Sequence, residues 1–267
     1  MTTAMAATEN PLVTRLRNGQ PTFQLGLRSA RTTDVVRIAQ STGHHSILVD
    51  LEHSTMTLDT AAALCSAASD LGLVPFVRTP ERDLGVIGRL LDGGAQGIVA
   101  PRIETAAEAL AVARSCRFPP RGQRSAVSAV SLVGMTPTAA RDLNPRLDAA
   151  TVVEVIIETP AGVSAADEIA AVDGVDIIAL GANDLTAELG VPGRYDDPRV
   201  RDAVLALASA CRRHGKLLMI AGVGDPTTYA ALAALGACSL ILTGMDTDLL
   251  HAAARSRVES LSGQDQT

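Results

Sequence analysis

The chain has 267 residues, 47% of them hydrophobic and 19% charged, and this composition excludes intrinsic disorder over most of its length. A formal net charge of −6, with three Phe, two Tyr and no Trp, disfavours a nucleic-acid partner, which would need a basic surface and stacking rings. No apolar run reaches about 18 residues, so neither a transmembrane helix nor a membrane partner is expected. The four cysteines form no Cys-x-x-Cys pair, which favours a reducing, cytoplasmic compartment.

Eight short apolar runs follow one another along the chain, and each is continuous and β-branched, as parallel strands covered on both faces are. Strands are predicted at Thr22–Leu27, Ser46–Leu51, Leu73–Arg78, Gln96–Pro101, Val152–Glu158, Val175–Leu180, Leu217–Ala221 and Ser239–Thr243. Ala-rich helical segments alternate with these runs, and many begin at a capping residue and end at glycine. Helices are predicted at Thr33–Ser41, Leu58–Asp70, Asp83–Leu91, Thr105–Cys116, Gly162–Ala171, Pro198–His214, Pro226–Leu235 and Asp246–Arg257.

Eight βα units of this spacing predict an α/β fold of the TIM (β/α)8 barrel type, and a barrel of roughly 250 residues accounts for the length. A doubly wound open sheet is the alternative. We expect a single domain over residues 1–267, with loose tails at about 1–10 and 262–267. The segment Phe118–Asp148 is too long for an ordinary connection, so we expect it to serve the functional site or a subunit contact.

In a βα-barrel the catalytic side chains lie at the carboxyl ends of the strands, so the polar residues at those ends are the candidates. They are Asp50, Glu52 and His53 around the end of the second strand, Arg78 at the end of the third, Glu158 at the end of the fifth and Asp184 after the sixth. Glu158 and Asp184 come from neighbouring strands, and two carboxylates with waters and substrate oxygens form an open site for Mg²⁺ or Mn²⁺. Each carboxylate taken alone could instead stabilise a helix amino terminus.

Four further features of the sequence bear on the function of the site. His53 could act as a general base, or it could be a solvated loop residue. Arg78 ends an apolar strand and is predicted to clamp an enolate or a carboxylate, with an inter-loop salt bridge as the alternative. The backbone amides of the turn at residues 181–185 could hold a carboxylate. Lys216 is the one lysine in the sequence and opens the seventh strand, at the opposite end of the barrel, which argues against an imine-forming aldolase.

Six motifs follow one another in a fixed order across roughly residues 20–255. They are LVDLEH (48–53), PFVR (75–78), LLDGGAQGIVAPRIET (90–105), FPPRGQR (118–124), IIETPAG (156–162) and LGANDLTAELGVPG (180–193). As a set they resemble the HpcH/HpaI aldolase family, which includes 4-hydroxy-2-oxoheptanedioate aldolases and 2-keto-3-deoxy-sugar-acid aldolases. IETPAG taken alone is less specific, because related CoA-ester lyases carry a similar phrase.

The resemblance implies a carbon–carbon lyase of the class II, divalent-metal-dependent aldolase type. Such an enzyme cleaves a 4-hydroxy-2-oxoacid reversibly to pyruvate, or a close 2-oxoacid, and an aldehyde through a metal-stabilised enolate. Glu158 and Asp184 match the family's ligands for Mg²⁺ or Mn²⁺, with Co²⁺ as a further possibility. The small-molecule partners are therefore expected to be a 2-oxoacid and an aldehyde.

The same resemblance assigns the other site residues. Arg78 matches the arginine that stabilises the enolate, and His53 matches the acid/base histidine. Asp92 matches the acidic residue that raises the basicity of that histidine. Asn183 and Asp184 match positions whose amides hold the pyruvate carboxylate, and we count Gly181, at the start of the same turn, among the substrate-binding residues.

Asp92 ends the third predicted helix, which returns to the rim opposite His53 of the same chain. We therefore expect a homo-oligomer, and the resemblance implies a hexamer. In this arrangement one subunit's lower rim, together with Phe118–Asp148, caps the active site of a neighbour.

Two departures from the family pattern and two rival functions accompany this interpretation. Ile156 stands where the family often has glutamine, which removes one polar contact to pyruvate, and Asn183 replaces a small residue. A CoA-ester lyase of the citramalyl or malyl type is the alternative enzyme, and a non-catalytic barrel is the other rival. The aldehyde is not identified by the sequence, although Arg28, Arg102 and Arg121 could meet an acidic tail on it.

Overall fold

The computed structural model describes residues 9–262, and its centre is a barrel of parallel strands. The strands are β1 (Thr22–Leu27), β2 (Ser46–Asp50), β3 (Val74–Arg78), β4 (Gly97–Ala100), β5 (Val152–Ile157), β6 (Ile177–Gly181), β7 (Leu217–Ala221) and β8 (Leu240–Met245). They are hydrogen-bonded in the order β7-β6-β5-β4-β3-β2-β1-β8.

The barrel is nearly closed between β7 and β8. At the amino-terminal ends of these strands the Cys238 amide donates a hydrogen bond of 2.7 Å to the Leu218 carbonyl. The strand order follows the chain around the whole sheet, without the reversal that marks a doubly wound sheet. The predicted TIM barrel is therefore confirmed, and the open-sheet alternative was wrong.

The helices surround the barrel, as expected for crossovers between parallel strands. They are α1 (Pro11–Arg17), α2 (Asp34–Ser41), α3 (Leu58–Asp70), α4 (Ile87–Asp92), α5 (Ala106–Cys116), α6 (Ala140–Ala150), α7 (Pro160–Ser164), α8 (Ala166–Ala170), α9 (Ala182–Glu188), α10 (Pro198–His214), α11 (Pro226–Ala233) and α12 (Asp246–Leu261). Single turns of 3₁₀ helix occur at Leu84–Val86 and Ser131–Val133. None of the helices in residues 9–262 has both the length and the apolar character needed to cross a bilayer.

Alternate residues of each strand point into the barrel, where they form an apolar core that supports the carboxyl-terminal rim. Phe76 is fully buried there, and its ring lies 2.3 Å from where a Cβ at Gly97 would stand, so only glycine fits beside it on β4. Leu12 and Leu16 of α1 join the same core and close the amino-terminal end of the barrel. The open end is therefore the rim on which the candidate site residues lie.

The helices differ from the sequence prediction in five places, two of which are α9, which was not among the predicted helices, and the helix expected at Asp83–Leu91, which is divided into the 3₁₀ turn Leu84–Val86 and α4. α1 was not predicted, although Asn10 caps it with a hydrogen bond from the Leu12 amide (3.0 Å) and Pro11 occupies its first turn. α6 lies in the stretch that was expected to be irregular. The sequence did not predict this helix because Pro145 inside it breaks the helical sequence pattern. The helix expected at Gly162–Ala171 is divided into α7 and α8. The proposed tails lie mostly outside the described residues, but Asn10 is buried and belongs to the fold.

α12 is unusual because it buries none of its side chains. Leu250 is 72% exposed, Leu261 71% and Val258 63%, so the helix presents large apolar groups on its surface. Helices of a folded domain normally bury an apolar stripe against a neighbouring element. This helix therefore provides an apolar surface that the other residues within 9–262 leave uncovered.

Candidate active site

The structure brings four of the predicted site residues to one end of the barrel. Arg78 is the last residue of β3, His53 follows β2, Glu158 follows β5, and Asp184 lies in the first turn of α9, directly after β6. All four positions are at the carboxyl ends of parallel strands, which is where barrel enzymes place their chemistry.

Arg78 is held by a carboxylate that lies beside it on the neighbouring strand. Asp50 is the register partner of Arg78 and is fully buried. Arg78 donates from Nε to Asp50 Oδ1 at 3.0 Å and from a terminal nitrogen to Oδ2 at 2.7 Å, a bidentate pair. Another terminal nitrogen of Arg78 lies 3.2 Å from Glu52 Oε2. The guanidinium is thus fixed in place mainly by Asp50 of β2, with a further contact from Glu52 in the loop that follows β2.

The electrostatics of this group follow from burial and from the ion pair. Burial, the largest single effect, raises the pKa of Asp50, but the hydrogen bonds and charge of Arg78, the His53 amide and Arg28 together outweigh burial, so the pKa of Asp50 lies below its ordinary value. Burial is also the largest effect on Arg78 and lowers its pKa, but Asp50, Glu52 and Glu158 together outweigh burial, so the pKa of Arg78 lies above its ordinary value. Asp50 and Arg78 are therefore both charged at neutral pH.

Asp50 also shapes the loop that carries His53. Its Oδ1 accepts hydrogen bonds from the amides of Glu52 (3.1 Å) and His53 (3.2 Å). The role of Asp50 was missed at the sequence level, where it was noted only as a strand-end carboxylate. A signal was present, because an Asp at the end of one strand and an Arg at the end of the next are expected to be neighbours.

His53 lies at the mouth of the barrel, the open end formed by the carboxyl ends of the strands. Its side chain is 55% exposed, and Nε2 lies 3.7 Å from Glu52 Oε2. Burial raises the pKa of Glu52, while the positive charges of Arg78 and His53 oppose that rise. The histidine is thus accessible to a substrate and has an acidic neighbour of its own chain.

Glu158 is the most perturbed carboxylate of the mouth. It is 7% exposed, and burial, followed by the negative charges of Asp184 and Glu52, raises the pKa of Glu158 to about 7. A Cβ at Gly181 would stand 2.6 Å from Glu158 Oε2 and 2.8 Å from its Cβ, so glycine at the end of β6 makes room for this side chain. The sequence predicted the position of Glu158 but not the space that it needs.

The carboxylates of Glu158 and Asp184 are the candidate metal ligands. No group of three or more His, Cys, Asp or Glu side chains in residues 9–262 is arranged to hold a metal ion. Two carboxylates fit an open site whose other ligands are waters and substrate oxygens. The repulsion that raises the pKa of Glu158 is also what a bound dication would relieve, so the donor set suits a hard divalent cation.

Asn183 has a neighbour that the sequence did not reveal. The Tyr195 hydroxyl is hydrogen-bonded to Asn183 Oδ1 and lies 3.0 Å from the Gly222 carbonyl, at the end of β7. The contact joins the loop after α9 to the strand ends of β6 and β7. It depends on the path of a long loop, which no local pattern predicts.

Asp92 and Lys216 lie away from the mouth. Asp92 ends α4 and accepts a hydrogen bond of 2.8 Å from Arg124, whose side chain is 1% exposed. Lys216 precedes β7 and donates to the carbonyls of Val172 (3.0 Å) and Val175 (2.7 Å), which precede β6. The placement of Lys216 at the opposite end of the barrel is confirmed. Asp92 does not meet His53 of the same chain, so its assigned role stays a prediction.

The fold is the TIM barrel found in many enzymes, and its open end carries an acidic pair and an arginine held in place by a buried carboxylate. The chain belongs to the HpcH/HpaI aldolase/citrate lyase family, whose model matches residues 27–251. The membership predicted from the six motifs is thereby confirmed.

Curated relatives and a solved structure agree with this membership. The chain is 39% identical over 221 residues to the 4-hydroxy-4-methyl-2-oxoglutarate aldolase tasA of Hapsidospora irregularis, covering 82% of each chain. It is 31% identical over 250 residues to a hydroxypyruvate/pyruvate aldolase of Delftia acidovorans, covering 92% of this chain and 90% of that one. An HpcH/HpaI aldolase structure from Desulfitobacterium hafniense DCB-2 superposes with a TM-score of 0.87 at 26% identity, covering 96% and 97%. These relatives support a carbon–carbon lyase.

Proposed function

We propose that the protein is a divalent-metal-dependent aldolase that reversibly cleaves a 4-hydroxy-2-oxoacid to pyruvate, or a close 2-oxoacid, and an aldehyde or related carbonyl compound. The observation that carries this proposal is the position of a half-buried Arg78, anchored by Asp50, and the acidic pair Glu158 and Asp184 around one mouth. Carbon–carbon cleavage leaves negative charge on the 2-oxoacid fragment, and the fixed guanidinium of Arg78, with a cation held by the two carboxylates, would stabilise that charge. The names of the curated relatives agree with this reaction.

Glu158 and Asp184 hold the cation, which we take to be Mg²⁺ or Mn²⁺, with Co²⁺ as a substitute. When bound, the cation supplies electrostatic stabilisation of the negative charge that develops on the substrate. Gly181 keeps the space into which Glu158 fits. The backbone amides of Asn183 and Asp184 hold the carboxylate of pyruvate beside that site.

The remaining steps belong to Arg78 and His53. Arg78 donates hydrogen bonds to the enolate oxygen, and its bidentate contact with Asp50 keeps the guanidinium in position before substrate arrives. His53 takes the proton of the 4-hydroxyl group as the C3–C4 bond breaks, and the electron pair of that bond stays on the 2-oxoacid half as its enolate. A proton added at C3 then gives the methyl group of pyruvate, and in the synthetic direction C3 loses that proton and His53 returns a proton to the new 4-hydroxyl group. The exposure of His53 at the mouth allows this proton exchange.

Asp92 acts in our proposal from a neighbouring subunit of a homohexamer, where it raises the basicity of His53. Its position at the amino-terminal rim of its own barrel requires a second subunit for this role. The uncovered apolar surface of α12 favours an oligomer as well.

The cellular setting in this proposal is a reducing cytoplasm, with small-molecule partners and neither nucleic acid nor membrane as a ligand. Cys65, Cys116 and Cys211 are buried as free thiols, and Cys238 is half-buried and also free. Burial raises the pKa of the Cys65 and Cys116 thiols to about 12, so these groups are unreactive packing residues.

Removal of the cation tests the reaction directly. The protein is stripped with a chelator, and pyruvate release from a 4-hydroxy-2-oxoacid is measured before and after Mg²⁺, Mn²⁺ or Co²⁺ is restored. We expect release to be abolished by stripping and recovered by at least one cation, and the Glu158→Gln variant to stay inactive under all conditions. Undiminished turnover of the stripped protein would refute the metal assignment.

A further inference from the structure

Arg28 is a second arginine of the mouth, and it shares a carboxylate with Arg78. It directly follows β1, where Leu27 is the register partner of Val49, so Arg28 stands beside Asp50. Its Nε donates to Asp50 Oδ2 at 3.1 Å. Because Asp50 is buried at the inner rim, this contact places the Arg28 guanidinium inside the mouth as well.

The backbone of Arg28 is fixed from the other side by α12. Asp246, the first residue of α12, accepts hydrogen bonds from the amides of Arg28 (2.9 Å), Ser29 (3.0 Å) and Ala30 (2.7 Å). The side chain therefore projects from a loop that is tied to the barrel at both ends. A ligand would meet a guanidinium whose position is set in advance, which lowers the entropy cost of binding.

The guanidinium of Arg28 keeps donors for a ligand. Nε to Asp50 is its one side-chain hydrogen bond in the described part of the chain, so both terminal NH₂ groups remain available. The side chain is 33% exposed. Its acidic partner already accepts two hydrogen bonds from Arg78, so Asp50 compensates the charge of Arg28 only in part.

The other two arginines that might meet an acidic substrate differ from Arg28. Arg102 follows β4 at the same rim and donates to Glu188 Oε1 at 2.7 Å, and Glu188 forms no ion pair with another arginine in the described part of the chain, so the charge of Arg102 has a carboxylate of its own. Arg121 lies near Asp173, which precedes β6 at the opposite end of the barrel. Of the three, Arg28 is thus the one that combines a place in the mouth with a carboxylate that it must share with a second arginine.

The position of β1 decides which half of the substrate Arg28 meets. In an eight-stranded barrel β1 lies across the mouth from β5, which carries Glu158. The 2-oxoacid half binds at the ends of β3, β5 and β6 in the proposed reaction, so the half beyond the cleaved bond extends toward β1 and β2. His53, which handles the 4-hydroxyl proton, follows β2 on that same side.

We propose that Arg28 is a specificity-determining residue that binds a carboxylate on the acceptor half, so that the substrate is a dicarboxylic 4-hydroxy-2-oxoacid. The acceptor product is then a 2-oxoacid or a carboxylated aldehyde. A guanidinium with two free NH₂ groups matches a carboxylate by a bidentate contact. This inference rests on the proposed aldolase function and adds the class of its second substrate.

Paired acceptors test the inference with pyruvate as donor and the metal-loaded enzyme. Succinic semialdehyde is compared with butanal, and glyoxylate with acetaldehyde, because the members of each pair differ in the carboxylate. For Arg28→Gln we expect kcat/KM to fall about 10- to 100-fold for the carboxylated acceptors and to change by less than about twofold for the neutral ones. Arg28→Lys keeps the charge but not the planar guanidinium, so its kcat/KM for the carboxylated acceptors should lie between the values for the unmodified enzyme and for Arg28→Gln.

Two controls separate this role from structural effects. Arg82→Gln removes another positive charge from the same rim, where Arg82 lies exposed beside Glu81 and Glu108, and it should leave the acceptor ratio unchanged. Deuterium exchange at the pyruvate methyl group needs no acceptor, so it should survive Arg28→Gln. An equal loss of exchange and of turnover with every acceptor would make Arg28 a positioning residue for Asp50 and would overturn the inference.

The same assays distinguish failure of the inference from failure of the proposed function. If Arg28→Gln keeps both its exchange rate and its preference for carboxylated acceptors, the inference is wrong while the aldolase assignment stands. If the unmodified protein catalyses neither exchange nor aldol addition with any of the three cations, the proposed function is wrong and the inference falls with it.

Discussion

Asp50 connects more of the mouth than any other side chain at the rim. It accepts hydrogen bonds from the side chains of Arg28 and Arg78 and from the amides of Glu52 and His53. A buried carboxylate needs this number of donors to remain charged. One aspartate thus positions Arg78, which we propose binds the enolate, the loop of the proposed acid/base residue His53, and the proposed acceptor-binding residue Arg28.

Substitution of Arg78 by lysine tests whether the planar guanidinium, and not only its charge, is required. Lysine cannot make the bidentate contact with Asp50 and reach the substrate in the same geometry. We expect kcat for pyruvate release from a 4-hydroxy-2-oxoacid to fall about 10²- to 10³-fold in Arg78→Lys, as when an oxyanion donor is removed. Steady-state kinetics measures this loss. If the kcat of the variant lies within a few-fold of that of the unmodified enzyme, Arg78 does not take part in the chemistry.

Glu154 is a buried acid that the proposed mechanism does not use. It is 4% exposed on the inner face of β5, and its Oε2 has no hydrogen-bond partner in the part of the chain that the structure describes. Burial raises the pKa of Glu154 to about 7, with a smaller opposing effect from Arg78. The folded protein therefore holds this proton more tightly than the unfolded chain does.

The Glu154→Gln variant is expected to change how stability depends on pH. Because the folded pKa of Glu154 lies above its unfolded value, its contribution is fully present below about pH 4.5 and is lost as pH rises to about 7. The variant should gain up to about 3 kcal/mol over the unmodified protein at pH 8, and little at pH 4.5. Denaturant unfolding of both proteins at the two pH values measures the difference. A parallel pH dependence of the two would show that Glu154 stays ionised in the fold.

The packing of β5 against β6 sets the position of the acidic pair, and it depends on a single glycine. A methyl group at Gly181 would occupy the space of Glu158 Oε2, 2.6 Å away. We expect Gly181→Ala to weaken Mn²⁺ binding about 10- to 100-fold, as displacement of supporting groups does at metal sites. Calorimetric titration measures the dissociation constant. Gly224→Ala, in the loop after β7 with nothing near its Cβ position, is the matched control and should bind Mn²⁺ normally.

The strands and the rim residues could be predicted from the sequence because their causes are local. A continuous β-branched run forms a buried parallel strand, and the carboxyl ends of such strands converge on one rim. Glu158 and Arg78 were placed correctly by this reasoning alone. The Asp50–Arg78 contact depends on the register between strands, and the Tyr195–Asn183 contact depends on a loop path, so neither follows from spacing along the chain.

The missed helices have different causes. α1 carried a usable signal, because Asn10 followed by Pro11 is a cap followed by a first-turn proline, and Leu12, Val13 and Leu16 lie on one helical face. α6 carried a misleading one, because Pro145 ordinarily ends a helix. Tertiary packing overrides that preference, since Leu143 and Leu147 of α6 are buried against Phe118.

Two features of the described residues have no evident role within a single subunit. α12 exposes Leu250, Val258 and Leu261, and Asp92 lies at the rim away from the histidine that it is proposed to serve. Both are explained if the working enzyme is an oligomer whose active sites form between subunits. In this arrangement an active site needs His53 from one subunit and Asp92 from another. A role of Asp92 within its own chain would not require two subunits.

Subunit complementation tests that arrangement. His53→Ala and Asp92→Asn are each expected to lower activity when every subunit carries the same substitution. In mixed oligomers, a site that takes His53 from an Asp92→Asn subunit and Asp92 from a His53→Ala subunit is complete. Random mixing makes about a quarter of the sites complete, so activity should recover to about that fraction.

Co-expression with two affinity tags isolates the mixed oligomers, and separately purified variants combined without exchange of subunits are the control. Recovery in the mixed oligomers and not in the control would establish that one site draws on two subunits. If mixed oligomers form and stay as inactive as the parents, Asp92 does not act across the interface. Full activity of Asp92→Asn by itself would remove that residue from the proposed mechanism and leave its contact with Arg124 as its role.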